Sequence, residues 1–319
     1  MKPLYIDSEF IDQHTDYPAL IEQLKIGFKE EQIITPPRHH HYISASEFVD
    51  ESSLLLMPAW QTGMDRGVKI LSVHPTNQKN GLPSIQGTYI YMDGKTGAVK
   101  AIIDGKALTS KRTAAASALA STYLSRPDAS SMLMVGTGAL STELIKAHAS
   151  IRPIEVAIIW GRNHQKAKKV ASQLEDEQFE VQTVEEISLA MKFTDIISCA
   201  TLSEEPLIYG KNLQIGQHID LVGSYKPEMR EADDETIKRA SVFLDCHAMA
   251  RKESGDILQP LMSGILKDED IKADLFQLCS NEHHGRTSPS DITLFKSVGH
   301  ALEDLIAARY YYKQFKNQD

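Results

Sequence analysis

The sequence predicts an α/β protein with two domains, a Rossmann-type doubly wound parallel sheet and an α+β domain. Three observations carry that reading. The first third holds apolar runs, "SLLLMPAW", "GVKILSVHP" and "SIQGTYIYMD", bounded by turn clusters such as "TNQKNGLP" and "DGKTG". That is the pattern of antiparallel hairpins. After "RPDASS", short apolar strands alternate with helical segments, the pattern of βαβ units and a parallel sheet. The first of those strands runs straight into two glycines and a helix, "MLMVGTGALSTELIKAHAS".

In chain order, residues 1–30 read as a short strand and then an amphipathic helix around "YPALIEQLKIGFKE". The three hairpin strands follow. "ALTSKRTAAASALASTYLS" is a strong helix, because it is alanine-rich and holds neither Gly nor Pro. Next come strand "MLMVG", helix "ALSTELIKAHAS", strand "EVAIIWG" and helix "NHQKAKKVASQLE". Strands "TDIISCAT", "HIDLVG" and "SVFLDC" follow, with helical or loop crossovers. "DITLFKSVG" reads as a strand and turn, and "HALEDLIAARYYYKQF" as a closing helix. Residues 125–295 are expected to form the Rossmann domain. Residues 1–124 and 296–319 are expected to form the other, discontinuous because the last helix packs back onto it.

The chain has 319 residues, 42% hydrophobic and 24% charged, which suits two domains with their own cores. Its net charge of −9 argues against the basic face of a nucleic-acid binder. An anionic substrate stays open, because local Arg and Lys decide that. Cys199, Cys246 and Cys279 have no paired spacing, which fits a reducing compartment better than a disulfide framework. The start, "MKPLYIDSEFIDQH", has charges where a signal peptide needs an apolar run. No stretch approaches the roughly 20 apolar residues of a membrane span. The expectation is a cytoplasmic protein that binds neither membrane nor nucleic acid.

In "MLMVGTGAL", Gly136 would allow a tight turn and Gly138 would let a pyrophosphate approach the backbone at a helix N-terminus. Ser141 stands where the fingerprint's third glycine belongs. The strand–turn–helix context favours dinucleotide binding over an ordinary glycine turn. The next strand ends in Trp160, Gly161, Arg162 and Asn163, where an NAD site usually has a carboxylate for the ribose 2′-hydroxyl. A guanidinium can instead bind a 2′-phosphate through forked, charge-assisted hydrogen bonds. Arg162, helped by Asn163 or Lys166, therefore points to NADPH ahead of NADH. The ordinary alternative is a solvated Arg at a helix start.

Three cations stand at structured places in the first domain. Arg38 ends "TPPR", Lys69 lies inside the strand "GVKILSV", and Arg112 starts the helix "RTAAASALA". Singly, each is most simply a side chain reaching solvent. Together they would make a carboxylate clamp, since Arg holds carboxylates in bidentate fashion. The run His39, His40 and His41 invites a metal reading. Successive strand residues point to opposite faces, so three adjacent His rarely converge on one ion, and no metal site is expected.

With these residues in place, the chain resembles the ornithine cyclodeaminase/μ-crystallin family, which includes ketimine and Δ1-pyrroline-2-carboxylate reductases and some alanine dehydrogenases. The resemblance covers nearly the whole chain. It rests on the ordered set "TPPR", "LLLMPAW", "VKILSVHPTNQKNGLPSIQG", "ALTSKRTAAASALA", "VGTGA", "GSYKPEMREAD", "GDILQPL" and "ITLFKSVGHALEDL". It implies a homodimer whose subunits pair a substrate-binding and dimerisation domain with a Rossmann domain. It also implies that Arg38, Lys69, Ser84 and Arg112 line the substrate pocket, with Lys69 and Arg112 on the carboxylate. Gly136, Thr137, Gly138 and Ala139 would hold the pyrophosphate. Ala200 and Thr201 would lie near the cofactor, and Val298 beside the nicotinamide.

Two departures from the cyclodeaminase pattern matter. Cyclodeaminases carry a carboxylate after the strand corresponding to "DLVGSY", as the acid/base of ring closure; here Tyr225 stands there. They also carry a Glu in the strand before "MP", where this chain has Leu55. A site without either carboxylate suits a ring already closed. The expectation is NAD(P)H-dependent reduction of Δ1-pyrroline-2-carboxylate to L-proline, with Δ1-piperideine-2-carboxylate as a second substrate giving L-pipecolate. Lys69 and Arg112 would be the catalytic pair, and Lys69 or a bound water would keep the imine nitrogen protonated. The rivals are ornithine cyclodeamination, alanine dehydrogenation and a non-catalytic binding protein.

Overall fold

The computed structural model describes residues 2–46 and 50–318. The chain forms two compact units, Met1–Arg112 with His300–Asp319, and Thr113–Gly299.

The first unit contains strands β1 (Leu4–Ile6), β2 (Ile33–Ile34), β3 (His39–Ile43), β4 (Ser52–Gln61), β5 (Asp65–Val73), β6 (Ile85–Asp93) and β7 (Val99–Asp104). Helices α1 (Ser8–Gln13) and α2 (Tyr17–Glu30) follow β1, and α3 (Gly105–Leu124) follows β7. The sheet runs β1-β7-β6-β5-β4-β2, with β3 also paired to β4. Its β4–β7 stretch is the antiparallel meander expected from the turn clusters, and β1 adds in parallel to β7. Alternation along each strand fixes the face. One rung aligns Met57, Lys69, Tyr89, Ile103 and Ile6 across β4, β5, β6, β7 and β1, and all five are buried.

The second unit has eight parallel strands: β8 (Ser131–Val135), β9 (Val156–Trp160), β10 (Glu180–Val184), β11 (Ile196–Cys199), β12 (His218–Leu221), β13 (Ser241–Leu244), β14 (Ile271–Asp274) and β15 (Thr293–Lys296). Helices α4 (Ser141–Ala149), α5 (His164–Ser172), α6 (Ile187–Met191), α7 (Asp234–Arg239), α8 (His247–Glu253), α9 (Gly255–Ser263) and α10 (Leu275–Cys279) connect them. The order is β10-β9-β8-β11-β12-β15-β13-β14, so the winding reverses between β8 and β11. Such a switch point opens a crevice at the carboxyl ends of the strands, where doubly wound sheets bind ligands. The strands read as continuous apolar runs because both faces of a parallel sheet are buried, and Leu133, Ile197, Ile219 and Leu294 have no exposed surface.

The chain then returns to the first unit as α11 (Ala301–Lys316). This helix lies on β4, β5 and β6 and against α2. Arg309 pairs with Asp65 at the start of β5, Nε to Oδ2 2.7 Å, and Asp304 pairs with Lys69 further along the same face.

Several expectations need correction. Arg112 does not start its helix: α3 begins at Gly105, so Arg112 is an interior residue and is 5% exposed. Lys69 does not reach solvent, because it sits on the face of β5 that α11 covers. The units divide inside α3 and after β15, whereas the expected boundaries lay at the end of that helix and within that strand. Strands β2, β7, β10 and β14 were not named from the sequence. β2 is only two residues long, β7 follows the turn "DGKTG", and "EVQTV" and "IKAD" carry little apolar alternation.

Candidate active site

In the first unit, β5 brings Lys69 under the first turn of α11. Its ammonium lies 2.8 Å from Asp304 Oδ1 and 2.7 Å from Oδ2. From α3, Arg112 Nη1 donates to Glu303 Oε2 at 2.6 Å, and its Nε lies 2.8 Å from Asp304 Oδ1. Lys69, Glu303 and Asp304 have no exposed surface. Burial and the nearby Arg112 draw the Lys69 pKa down from 10.5 to about 7, against the opposite pull of Asp304. Burial would raise Asp304, but Arg112 and Lys69 outweigh it and hold it below the usual carboxylate value. Arg38, just before β3, acts electrostatically on both Lys69 and Asp304.

The apolar surroundings are specific. Leu55 and Leu71 form the rung next to Met57 and Lys69 on the same buried face, and His40 on β3 pairs across from Leu55. Ser84 stands immediately before β6, half-buried, its hydroxyl buried without a hydrogen-bond partner. It takes no part in the Lys69–Arg112 network. The histidine run splits as strand geometry requires: the His39 and His41 rings meet edge to face at 6.2 Å, while His40 stacks on Tyr42 at 4.2 Å. Among the described residues no group of three or more His, Cys, Asp and Glu is placed to hold a metal ion.

In the second unit, Gly136 follows β8 with φ +128°, and a Cβ there would lie 2.6 Å from the Ala200 carbonyl oxygen. Only glycine suits both conditions. A Cβ on Gly138 would meet nothing within 4 Å, so the backbone there is open to a close approach. Ser141, at the third glycine's position, is fully buried and donates from Oγ to the Gly136 carbonyl at 3.1 Å, closing the loop. Thr137 and Ala139 belong to the same turn. These features fit a dinucleotide's pyrophosphate. Past β9, Arg162 is exposed and no carboxylate stands at the strand end. Asn163 is exposed too, but its Oδ1 caps α5 by accepting from Lys166 N at 3.2 Å, so that side chain already has a structural task.

The loops after β11, β12 and β15 are held by carboxylates that the sequence reading did not single out. Glu231 Oε1 accepts from Thr201 N at 2.8 Å, and Oε2 from Gly223 N at 2.7 Å. Asp245 Oδ2 accepts from the amides of Val298 and Gly299, both at 2.7 Å. Lys296 lies fully buried 3.3 Å from Asp256 and 3.7 Å from Glu231. Glu303 and Asp304 were missed too. Their signal was present: "ALEDLIAA" puts two acids inside an otherwise apolar helix start.

The sequence pattern of the ornithine cyclodeaminase/mu-crystallin family matches residues 7–319. The chain belongs to that family. It is 34% identical over 311 residues to the Delta(1)-pyrroline-2-carboxylate reductase of Colwellia psychrerythraea, covering 95% of this chain and 96% of that protein. Among solved structures, it is similar to the Delta(1)-pyrroline-2-carboxylate reductase of Thermococcus litoralis in complex with NADH and L-proline. That likeness has a TM-score of 0.92 and 31% identity, over 99% of this chain and 98% of that one. An archaeal alanine dehydrogenase dimer with bound NAD gives a TM-score of 0.90 at 25% identity, over 100% of this chain and 97% of that one.

Proposed function

We propose that this family member is an NAD(P)H-dependent imine reductase that converts Δ1-pyrroline-2-carboxylate to L-proline, and Δ1-piperideine-2-carboxylate to L-pipecolate. The observation that carries the reading is the buried Lys69–Arg112 pair with Leu55 and Leu71 beside it on the sheet face. Cations suit one carboxylate, and an apolar wall suits an uncharged ring. Leu55 and Tyr225 replace the two carboxylates that ring closure of a diamino acid would use. Arg112 and Lys69 bind the substrate carboxylate, Arg38 supports them electrostatically, and Ser84 offers an unpaired hydroxyl. A nicotinamide dinucleotide supplies the hydride, held by Gly136, Thr137, Gly138 and Ala139 at its pyrophosphate, with Ala200, Thr201 and Val298 near its reacting end. Arg162, with Asn163, favours NADPH over NADH.

The protein acts as a homodimer in a reducing compartment, the cytoplasm. Support for association is the sheet face of the first unit opposite α11, where Leu56, Pro58, Val68, Ile70, Ile90 and Ile102 lie outside the buried core. The resemblance to an alanine dehydrogenase dimer agrees with it. Oxidation of NADPH or NADH is measured with five- and six-membered cyclic imino acids, and with pyruvate plus ammonia. Fast turnover confined to the cyclic imines is expected. Ammonia released from ornithine, or turnover on pyruvate and ammonia alone, would replace this reading with one of its rivals.

A further inference from the structure

Carboxylate capture needs cations alone, yet this site buries two acids against them. Asp304 touches Lys69 through both oxygens and lies 2.8 Å from Arg112 Nε, while Glu303 takes Arg112 Nη1. Acids so placed weaken the attraction for an incoming carboxylate, and removing them from water is costly unless they are well paired. Their use must therefore be geometric or concern protons. Lys69 has a flexible four-carbon stem, and contact with both oxygens of Asp304 fixes its ammonium beside Arg112.

The charges also balance in an informative way. The buried cations Lys69 and Arg112 are matched by the buried carboxylates Glu303 and Asp304, and the half-buried Arg38 acts on the group from outside that set. The charged and titratable groups around Lys69 are Arg38 ahead of β3, Arg112 on α3 and Asp304 on α11, with Tyr89 beside it on β6. The Tyr89 hydroxyl has no hydrogen-bond partner and stays protonated, its pKa pushed up by burial and by Asp304. Asp304 is the group that favours the charged form of Lys69; Arg38 and Arg112 oppose it.

We propose that Asp304 is a positioning residue that keeps Lys69 protonated and aligned with Arg112 until the imine nitrogen takes that proton. The inference rests on the imine-reductase reading. In the step, an N–H bond of Lys69 breaks and its electron pair stays on Nζ. The proton becomes the N–H of the product ring, while the imine carbon receives the hydride and the former C=N π pair remains on nitrogen. Solvent then reprotonates Lys69.

The test titrates Lys69 directly, by lysine 13Cε NMR without substrate, with the signal assigned from a Lys69→Met spectrum. It is paired with the pH profile of kcat/KM. Wild type should titrate near 7, and kcat/KM should fall above that pH. Asp304→Asn is isosteric and removes only the charge. It should move both midpoints down by at least about one pH unit, and Asp304→Glu should restore them. Glu303→Gln, which removes the charge from the partner of Arg112 and not from that of Lys69, should move the Lys69 midpoint less than Asp304→Asn does. An unmoved Lys69 midpoint in Asp304→Asn overturns the proposal. So does a failure of both Asp304→Asn and Asp304→Ser to fold, which would make Asp304 a core residue only. If the NMR midpoint moves while wild type reduces no imine, the Lys69–Asp304 coupling holds, the reductase reading falls, and with it the proton transfer.

Discussion

Each unit buries a cluster of charges, and the two clusters are balanced differently. In the first unit two buried cations, Lys69 and Arg112, face two buried carboxylates, Glu303 and Asp304, and the half-buried Arg38 acts on them electrostatically. In the second, Glu231 and Asp256 face one lysine, Lys296. The negative surplus is absorbed locally. Glu231 accepts from the amides of Thr201, Gly223 and Ser224, and Asp256 Oδ1 accepts from the amides of Glu231 and Ala232 at 2.7 and 3.1 Å. Backbone amides carry partial positive charge, so they offset the surplus carboxylate charge without a ligand. The first unit's carboxylates are instead met by side-chain cations, and the half-buried Arg38 adds a further positive field there. Two cations gathered in one buried cluster are a reason to expect an anionic ligand, whereas the second cluster has the form of a structural clasp.

The largest effect expected from this contrast is on stability, at Glu231. Glu231→Ala leaves Lys296 with Asp256 alone and strands the amides of Thr201, Gly223 and Ser224. Removing one partner from a buried ion pair costs about 3–5 kcal/mol, so the denaturation midpoint should fall steeply. Urea unfolding followed by circular dichroism measures it. A variant as stable as wild type would mean that the second cluster is not the clasp described.

At Lys69 the effect should fall on activity instead. Lys69→Met keeps the volume and leaves Arg112 against Asp304. Losing a desolvated, hydrogen-bonded charge costs about 2–4 kcal/mol in recognition, so kcat/KM on a cyclic imino acid should drop roughly 30- to 1,000-fold. Stability should move the other way. The Lys69 pKa is lower in the fold, about 7, than the 10.5 of an ordinary lysine, so the unfolded chain binds more protons between those values. The stability cost of the protonated ammonium is full below about pH 7 and disappears as pH rises toward 10.5. Lys69→Met should therefore be as stable as wild type or more so below pH 7, by thermal melts at several pH values. A large loss of stability with full turnover would reverse the roles of the two clusters.

The same contrast explains how much could be read from the sequence. The turn after β8 is built from backbone in one short stretch, and Gly136, Gly138 and the strand and helix around them announce it. The doubly wound order follows from alternating strands and helices. The hairpins of the first unit were legible from "TNQKNGLP" and "DGKTG". The first unit's charge cluster is assembled from residues up to 266 positions apart in the chain, from Arg38 to Asp304. What joins them is the register of β5 under α11, which no local pattern encodes. For the same reason Lys69 looked like a solvent-reaching residue on a strand, and Arg112 like the start of "RTAAASALA", although the helix had been read from Ala107 and begins at Gly105. Glu231 and Asp256 sat in stretches already marked by the family resemblance, "MREAD" and "GDILQPL", but a buried clasp has no spacing signature.

The smallest expected effect belongs to a third kind of cation, one left to solvent. Arg162 stands exposed two residues beyond the end of β9. Water screens such a charge, so its contribution to binding a 2′-phosphate is modest beside that of a buried pair. Arg162→Ala should lower NADPH affinity roughly tenfold, with NADH affinity nearly unchanged. Cofactor fluorescence titrations of both dinucleotides measure the ratio. Salt separates this effect from the buried clusters: on the proposed role of Arg162, NADPH affinity relative to NADH should fall between low and high ionic strength, while the Lys69→Met defect should persist. Equal losses for both cofactors would instead place Arg162 on a part that NADPH and NADH share, and the preference for NADPH would lose its support.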